Sequence, residues 1–123
     1  MSAASSRATL VIVTTASEEQ AASIARALVG ERLAACVNIV GPIRSIYRWQ
    51  GEVQDDSEYL ILIKTRTSLA SKVERRVRQL HSYEVPEVIV LSIAAGSKPY
   101  LEWLLASTTS APVRGAPKGR RKN

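Results

Sequence analysis

Three observations converge on one fold class. β-Branched apolar runs occupy residues 9–16 and 87–93, with two more in between. Amphipathic helical patterns follow the first and third of these four runs. A Gln50-Gly51 pair joins two strands of unusual length. Together they predict an α+β, ferredoxin-like βαββαβ sandwich, with a long projecting hairpin between the second and third strands and a short C-terminal helix. The 123 residues are enough for one domain. Phenylalanine is absent and aromatics are only 5%, so the core must be built from Val, Ile, Leu and Ala.

Each element has its own local reason. "TLVIVTTA" (residues 9–16) is apolar on both phases of its alternation, as a central strand is. Ser17 with Gln20 three residues on makes a capping box, and Glu18 and Glu19 suit the positive end of a helix dipole. Ala21, Ile24, Ala25 and Leu28 then recur at helical spacing, and Gly30 either ends the helix or sits in its last turn. The second strand starts near Ala34. Gly41-Pro42 interrupts it, which predicts a bulge or bend on an edge strand, since proline cannot donate to a ladder. Beyond the break Ile43, Ser45, Tyr47 and Trp49 alternate with Arg44, Ile46 and Arg48, and Gly51 allows a tight turn. The return strand is polar in its outer part and apolar from Tyr59 to Ile63. Thr67 or Ser68 can cap a second helix with the stripe Leu69, Val73, Val77 and Leu80, and His81 ends it. Its Lys72, Arg75 and Arg78 read as a solvated face. "EVIVLSI" is the fourth strand, and Gly96 and Pro99 introduce a helix in which Tyr100, Trp103 and Leu104 share a face.

Residues 1–8 and 108–123 are expected to be disordered flanks around a domain of residues 9–107. The net charge of +6 comes largely from Arg114, Lys118, Arg120, Arg121 and Lys122, with no acid among the last sixteen residues, so the domain itself is close to neutral. Nucleic-acid contact is expected at most non-specifically, through that basic tail. No apolar run approaches the roughly 20 residues of a membrane helix. Cys36 is the only cysteine and suits a reducing compartment, so a cytoplasmic protein is expected. With one histidine, no Gly-rich phosphate loop and no base-stacking aromatics in the central strands besides Tyr59, the chain offers neither a catalytic triad, a nucleotide loop nor an RNA-binding sheet. It is expected to be no enzyme and to need no organic cofactor. The projecting arm carries Ile46, Tyr47 and Trp49, which a monomer would leave wet, so these are expected to make contacts between copies in an oligomer.

"LVGERLAACVNIVGPIRSIYRWQGEV", "SEYLILIKT" and "HSYEVPEVIVLSI" with the later Gly and "YLEWL" resemble the divalent-cation-tolerance CutA family over residues 9–107. The resemblance implies a ferredoxin-like homotrimer with a role in tolerance of copper and other divalent metals. In members with a proposed copper site, a cysteine near the end of the first strand joins a His-His pair. Here Thr14 and Leu80-His81 occupy those positions, so His81 alone is present from that set. Two readings of His81 stand side by side: a weak ligand for copper or another divalent cation, and a helix terminator that hydrogen-bonds loose carbonyls. Cys36 is the other candidate ligand, and its apolar neighbours suggest instead a small buried hydrophobe. Lys64, Tyr83, Glu84 and Glu87 are expected to line a cleft between subunits, either as a ligand site or as ion pairs that set the register of the trimer. The other functional reading is a trimeric scaffold or small-ligand-responsive module with no physiological metal.

Overall fold

The computed structural model describes residues 7–108. Strand β1 (Ala8–Thr15) leads into helix α1 (Glu18–Gly30), followed by β2 (Cys36–Trp49) and β3 (Glu52–Arg66). A 3₁₀ turn (Thr67–Leu69) opens helix α2 (Ala70–Leu80), and β4 (Val88–Ser92) and helix α3 (Lys98–Ala106) complete the chain. The sheet order is β2-β3-β1-β4 with antiparallel neighbours, so two split βαβ units interlock in a ferredoxin-like fold. The basic residues expected in the tail lie outside the described residues. Thr108, expected to open that tail, is instead fully buried and caps α3 through its hydroxyl on the Leu104 carbonyl at 2.9 Å.

On one face of the sheet α1 and α2 cover the central strands. Val11, Val13, Ile61 and Ile63 point to it and are fully buried against Ile24 and Leu28 of α1 and Val73 and Val77 of α2. The Ser17 hydroxyl accepts from the Gln20 N–H at 3.1 Å, as the capping box requires. The helix runs through Gly30, and the left-handed residue of its exit is Arg32 at φ 62°. The turn falls there because the Leu33 and Ala34 N–H groups both fold back onto the Leu28 carbonyl, which brings Ala34 into the core. Thr67 does not cap α2 with its side chain. Its hydroxyl is tied to that of Thr9 at 2.8 Å, and the 3₁₀ turn takes up the helix entry.

The second face is covered only at one end. Leu101, Leu104 and Leu105 of α3 pack over Ala8, and the Arg66 guanidinium holds the Leu105 carbonyl. By alternation from the strand register, Ile12, Leu60 and Leu62 share this face with Val40, Ile89 and Leu91. The last three stay 44–46% exposed.

Beyond Tyr59 the pairing with β1 stops, and Ile43–Trp49 pair only with 52–58. Seven residues at about 3.3 Å each make an arm of roughly 23 Å. Its turn has φ 50° at Gln50 and 83° at Gly51, the positive-φ pair that suits a two-residue hairpin. At its root the Gly41-Pro42 peptide is cis, and the register slips by one residue between Val40 and Ile43 on the edge strand. A Cβ at Gly41 would overlap the ring of Tyr59, which lies across it. Gly41→Ala is therefore expected to force the ring aside and lower stability by about 1–3 kcal/mol. The check is a melting temperature several degrees below wild type in calorimetry; an unchanged value would show that the ring contact is not needed.

Candidate functional site

A concave cleft of about 630 Å³ lies where the arm leaves the sheet. Thr14, near the end of β1, and Glu58 of β3 line its inner part. Ser45, Tyr47 and Trp49 come from the arm, while Tyr83, Glu84 and Glu87 come from the segment between α2 and β4. Ile46 and Val85 complete the lining. The bulge is what directs the arm residues here. Before it, Val40 pairs with Leu60; after it, Ile43 pairs with Glu58, so the odd-numbered residues of the arm now take the face that even-numbered residues held.

His81 fixes the other wall. It is the C-terminal cap of α2, its backbone turns extended (φ −80°, ψ 141°), and only 9% of it is exposed. Nδ1 accepts the Tyr83 N–H at 3.0 Å, so the ring proton sits on Nε2, which donates to the Thr14 carbonyl at 2.7 Å. The imidazole thus ties the end of β1 to the loop, and the Tyr83 ring packs on it at 4.6 Å. This places the Tyr83 hydroxyl 2.7 Å from Glu58 Oε2, to which it donates. Burial, then the hydrogen bond to Glu58 and the surrounding negative charge, push the Tyr83 phenol well above the usual tyrosine range. Tyr47 donates in the same way to Asp56 Oδ2 at 2.6 Å, and that hydrogen bond is the main reason its phenol is also raised.

The cleft is consequently rich in acceptors. Both phenol protons are committed to carboxylates, three glutamates contribute to the lining, and among the described residues no lysine or arginine does. Glu58 is 6% exposed. Its one side-chain hydrogen bond is that of Tyr83, and among the described residues it forms no ion pair.

The sequence-predicted residues divide. Tyr83, Glu84 and Glu87 meet the arm residues Ile46, Tyr47 and Trp49 in this one cleft. Lys64 does not join them within the chain. It pairs with Leu10 and Cys36, six residues along β3 from Glu58 or about 20 Å, and its ammonium is bonded to Asn38 Oδ1. Cys36 is not the buried hydrophobe its apolar neighbours suggest. An edge strand leaves it half-buried, with its sulfur 4.0 Å from the Lys64 ammonium. Glu58, Thr14 and Ser45 were not legible as site residues, because the only sign of Glu58 was an acid at the boundary between the polar and apolar parts of its strand. Arg76 on the flank of α2 pairs with Glu31 at 2.9 Å, which anchors that helix to the end of α1.

A closed copper or zinc site does not fit these side chains. A metal needs a free imidazole lone pair, and both nitrogens of His81 are occupied. Cys36 lies toward the opposite end of the sheet, and no group of three His, Cys, Asp or Glu among the described residues converges on a common point.

Fold and site together define a class: a ferredoxin-like domain with a long hairpin arm and an acidic, tyrosine-lined cleft at its root. Residues 9–107 match the family described as CutA1 divalent ion tolerance protein, and the chain belongs to that family. It is 56% identical over 99 residues to the divalent-cation tolerance protein CutA of Thermus thermophilus, covering 80% of this chain and 96% of that protein. It is 52% identical over 99 residues to the chloroplastic CutA of Arabidopsis thaliana, covering 80% of this chain but 54% of that longer protein, so the chain spans about half of that relative's length. The solved structure of the Thermus thermophilus divalent cation tolerance protein superposes with a TM-score of 0.81 at 54% identity, over 83% of this chain and 99% of that one. No helix among the described residues is long and apolar enough to cross a membrane.

The raised phenol of Tyr83 has a defined pH consequence. The fold favours the neutral form, so its contribution to stability is complete below the ordinary tyrosine range near about 10 and is lost as pH rises from there toward the folded value. Alkaline titration followed by tyrosinate absorbance is expected to show one phenol ionising only on unfolding. That late phase should vanish in Tyr83→Phe; if it persists, Tyr83 is not the shielded phenol.

Proposed function

We propose that the chain acts in divalent-cation tolerance as a non-catalytic homotrimer whose cleft, at the boundary between copies, is the binding element. The carrying observation is the uncovered apolar surface: half of the second sheet face, with Val40, Ile89 and Leu91, and an arm whose Ile46 and Val53 are each 64% exposed. Apolar surface of this extent marks a place for another protein surface. Tyr47 and Trp49, each 41% exposed, stand on the arm at the edge of the cleft, so covering the arm with a second copy also completes the cleft. Lys64 then enters the shared cleft from a neighbouring copy and sets the register against Glu84 or Glu87. A ring of three follows the family resemblance. A non-catalytic role is supported by His81, whose two nitrogens already serve the fold. We propose the cytoplasm as its compartment, where an unpaired, half-exposed Cys36 stays reduced.

Light scattering after size exclusion is expected to give three times the chain mass of 13.4 kDa for wild type and a smaller species for Trp49→Asp. A trimeric Trp49→Asp, or a monomeric wild type, would overturn the role of the arm. For copper, calorimetric titration into wild type and His81→Ala is expected to give equal heats. A stoichiometric heat lost in the variant would restore His81 as a ligand.

A further inference from the structure

The chemistry of the cleft specifies more than its existence. Its carboxylates are spread around a space of about 630 Å³ and do not converge as the ligands of a dehydrated metal ion would. Its lining includes Tyr47, Trp49 and Tyr83, aromatic residues whose rings carry electron-rich faces, and the two phenol protons already go to carboxylates. Glu58 lies more than nine-tenths buried in this lining, and among the described residues of its own chain it has no ion-pair partner. Its Oε2 takes the Tyr83 hydroxyl, while Oε1 takes no hydrogen bond and, since no buried polar atom is left unsatisfied among the described residues, remains open to the cleft. A buried carboxylate with one neutral donor and a free oxygen calls for a positive partner. That partner must bring its own charge and donors, must be larger than a metal ion, and must have an apolar surface for the rings.

We propose, resting on the reading of the cleft as a ligand site, that it binds an organic ammonium cation. The charged nitrogen sits against Glu58, and its alkyl groups lie on the faces of Tyr47, Trp49 and Tyr83 by cation–π contact. Whichever of Glu84 and Glu87 the neighbouring copy's Lys64 leaves unpaired raises the local concentration of the cation at the rim and speeds its entry. The binding is non-covalent. It is strongest at low ionic strength, because the rim carboxylates are exposed and screened by salt.

The test uses the full chain in its native oligomeric state, with choline chloride as the probe and its uncharged isostere 3,3-dimethylbutan-1-ol as the control. Binding is followed by calorimetry and by the shift of the Trp49 indole N–H in NMR spectra. Choline is expected to bind saturably and to move the Trp49 signal, with the isostere weaker by about tenfold or more. Glu58→Gln is expected to weaken choline by about tenfold or more while light scattering shows the wild-type oligomer. Should Glu58→Gln fail to fold, Glu87→Gln at the exposed rim is expected to weaken choline several-fold and to flatten its salt dependence. Equal affinity for the isostere, no saturable choline binding by wild type, or unchanged affinity in the glutamine variants would overturn the proposal, as would zinc chloride saturating the cleft where choline does not. The two readings fail separately: a monomeric wild type that binds choline removes the trimer and keeps the ligand, whereas a trimer that ignores choline does the reverse.

Discussion

A four-stranded sheet has two faces, and the helices of this chain bury the central strands on only one of them. Two amphipathic helices supply Ile24, Leu28, Val73 and Val77, which bury the central strands on one side, while Ile39 and Val90 on the edge strands stay part-exposed there. On the other side α3 has only nine residues and covers only the end that holds Ala8. Everything distinctive about the molecule follows from that shortfall. The uncovered part of that face carries Val40, Ile89 and Leu91, and beyond it an arm that pairs with nothing but itself supplies Tyr47 and Trp49 to the cleft. Burial of apolar area dominates the stability of so small a domain, and the proposed association of copies is the route by which the remaining area leaves water.

The one-residue slip at Gly41-Pro42 decides what the arm can do. Had the register continued unbroken, Arg44, Ile46 and Arg48 would share the face of Glu58, and a guanidinium would neutralise the buried carboxylate. The inserted residue gives that face to Ser45, Tyr47 and Trp49 instead, and Arg44 faces the other way, where it forms a two-point pair with Asp55. The acidic, aromatic character of the cleft is thus a consequence of backbone register as much as of composition.

His81 shows how a residue can be indispensable to a site without acting in it. Its ring joins the carbonyl at the end of β1 to the backbone N–H of Tyr83, three elements that local propensity would leave independent. The Tyr83 hydroxyl then reaches Glu58 from a loop segment that would otherwise have many conformations. A chain with one histidine invites a chemical role for it. Here the need to satisfy a buried carbonyl and a loop N–H takes both nitrogens.

Local chemistry was sufficient for most of the fold. Period-2 and period-3.6 patterns located the strands and helices, the capping box marked Ser17, the Gly-Pro break marked the edge bulge, and Gln50-Gly51 marked the hairpin tip, because each of these depends on residues close together in the chain. The exit of α1 at Arg32 rather than Gly30 was not legible, since the need to return Ala34 to the core outweighs the glycine preference for a left-handed turn. The exposure of Cys36, the separation of Lys64 from Tyr83 and the burial of Glu58 were equally beyond a linear reading. Each depends on which strand is at the edge, on the register across β3 and on what packs above, and these are distances between residues far apart in sequence. The sequence alone determined the elements, their order and the family to which they belong. Only the tertiary structure decided which side chains share the cleft and which nitrogens remain free, because hydrogen bonding and burial are settled by neighbours that the chain brings together from opposite ends.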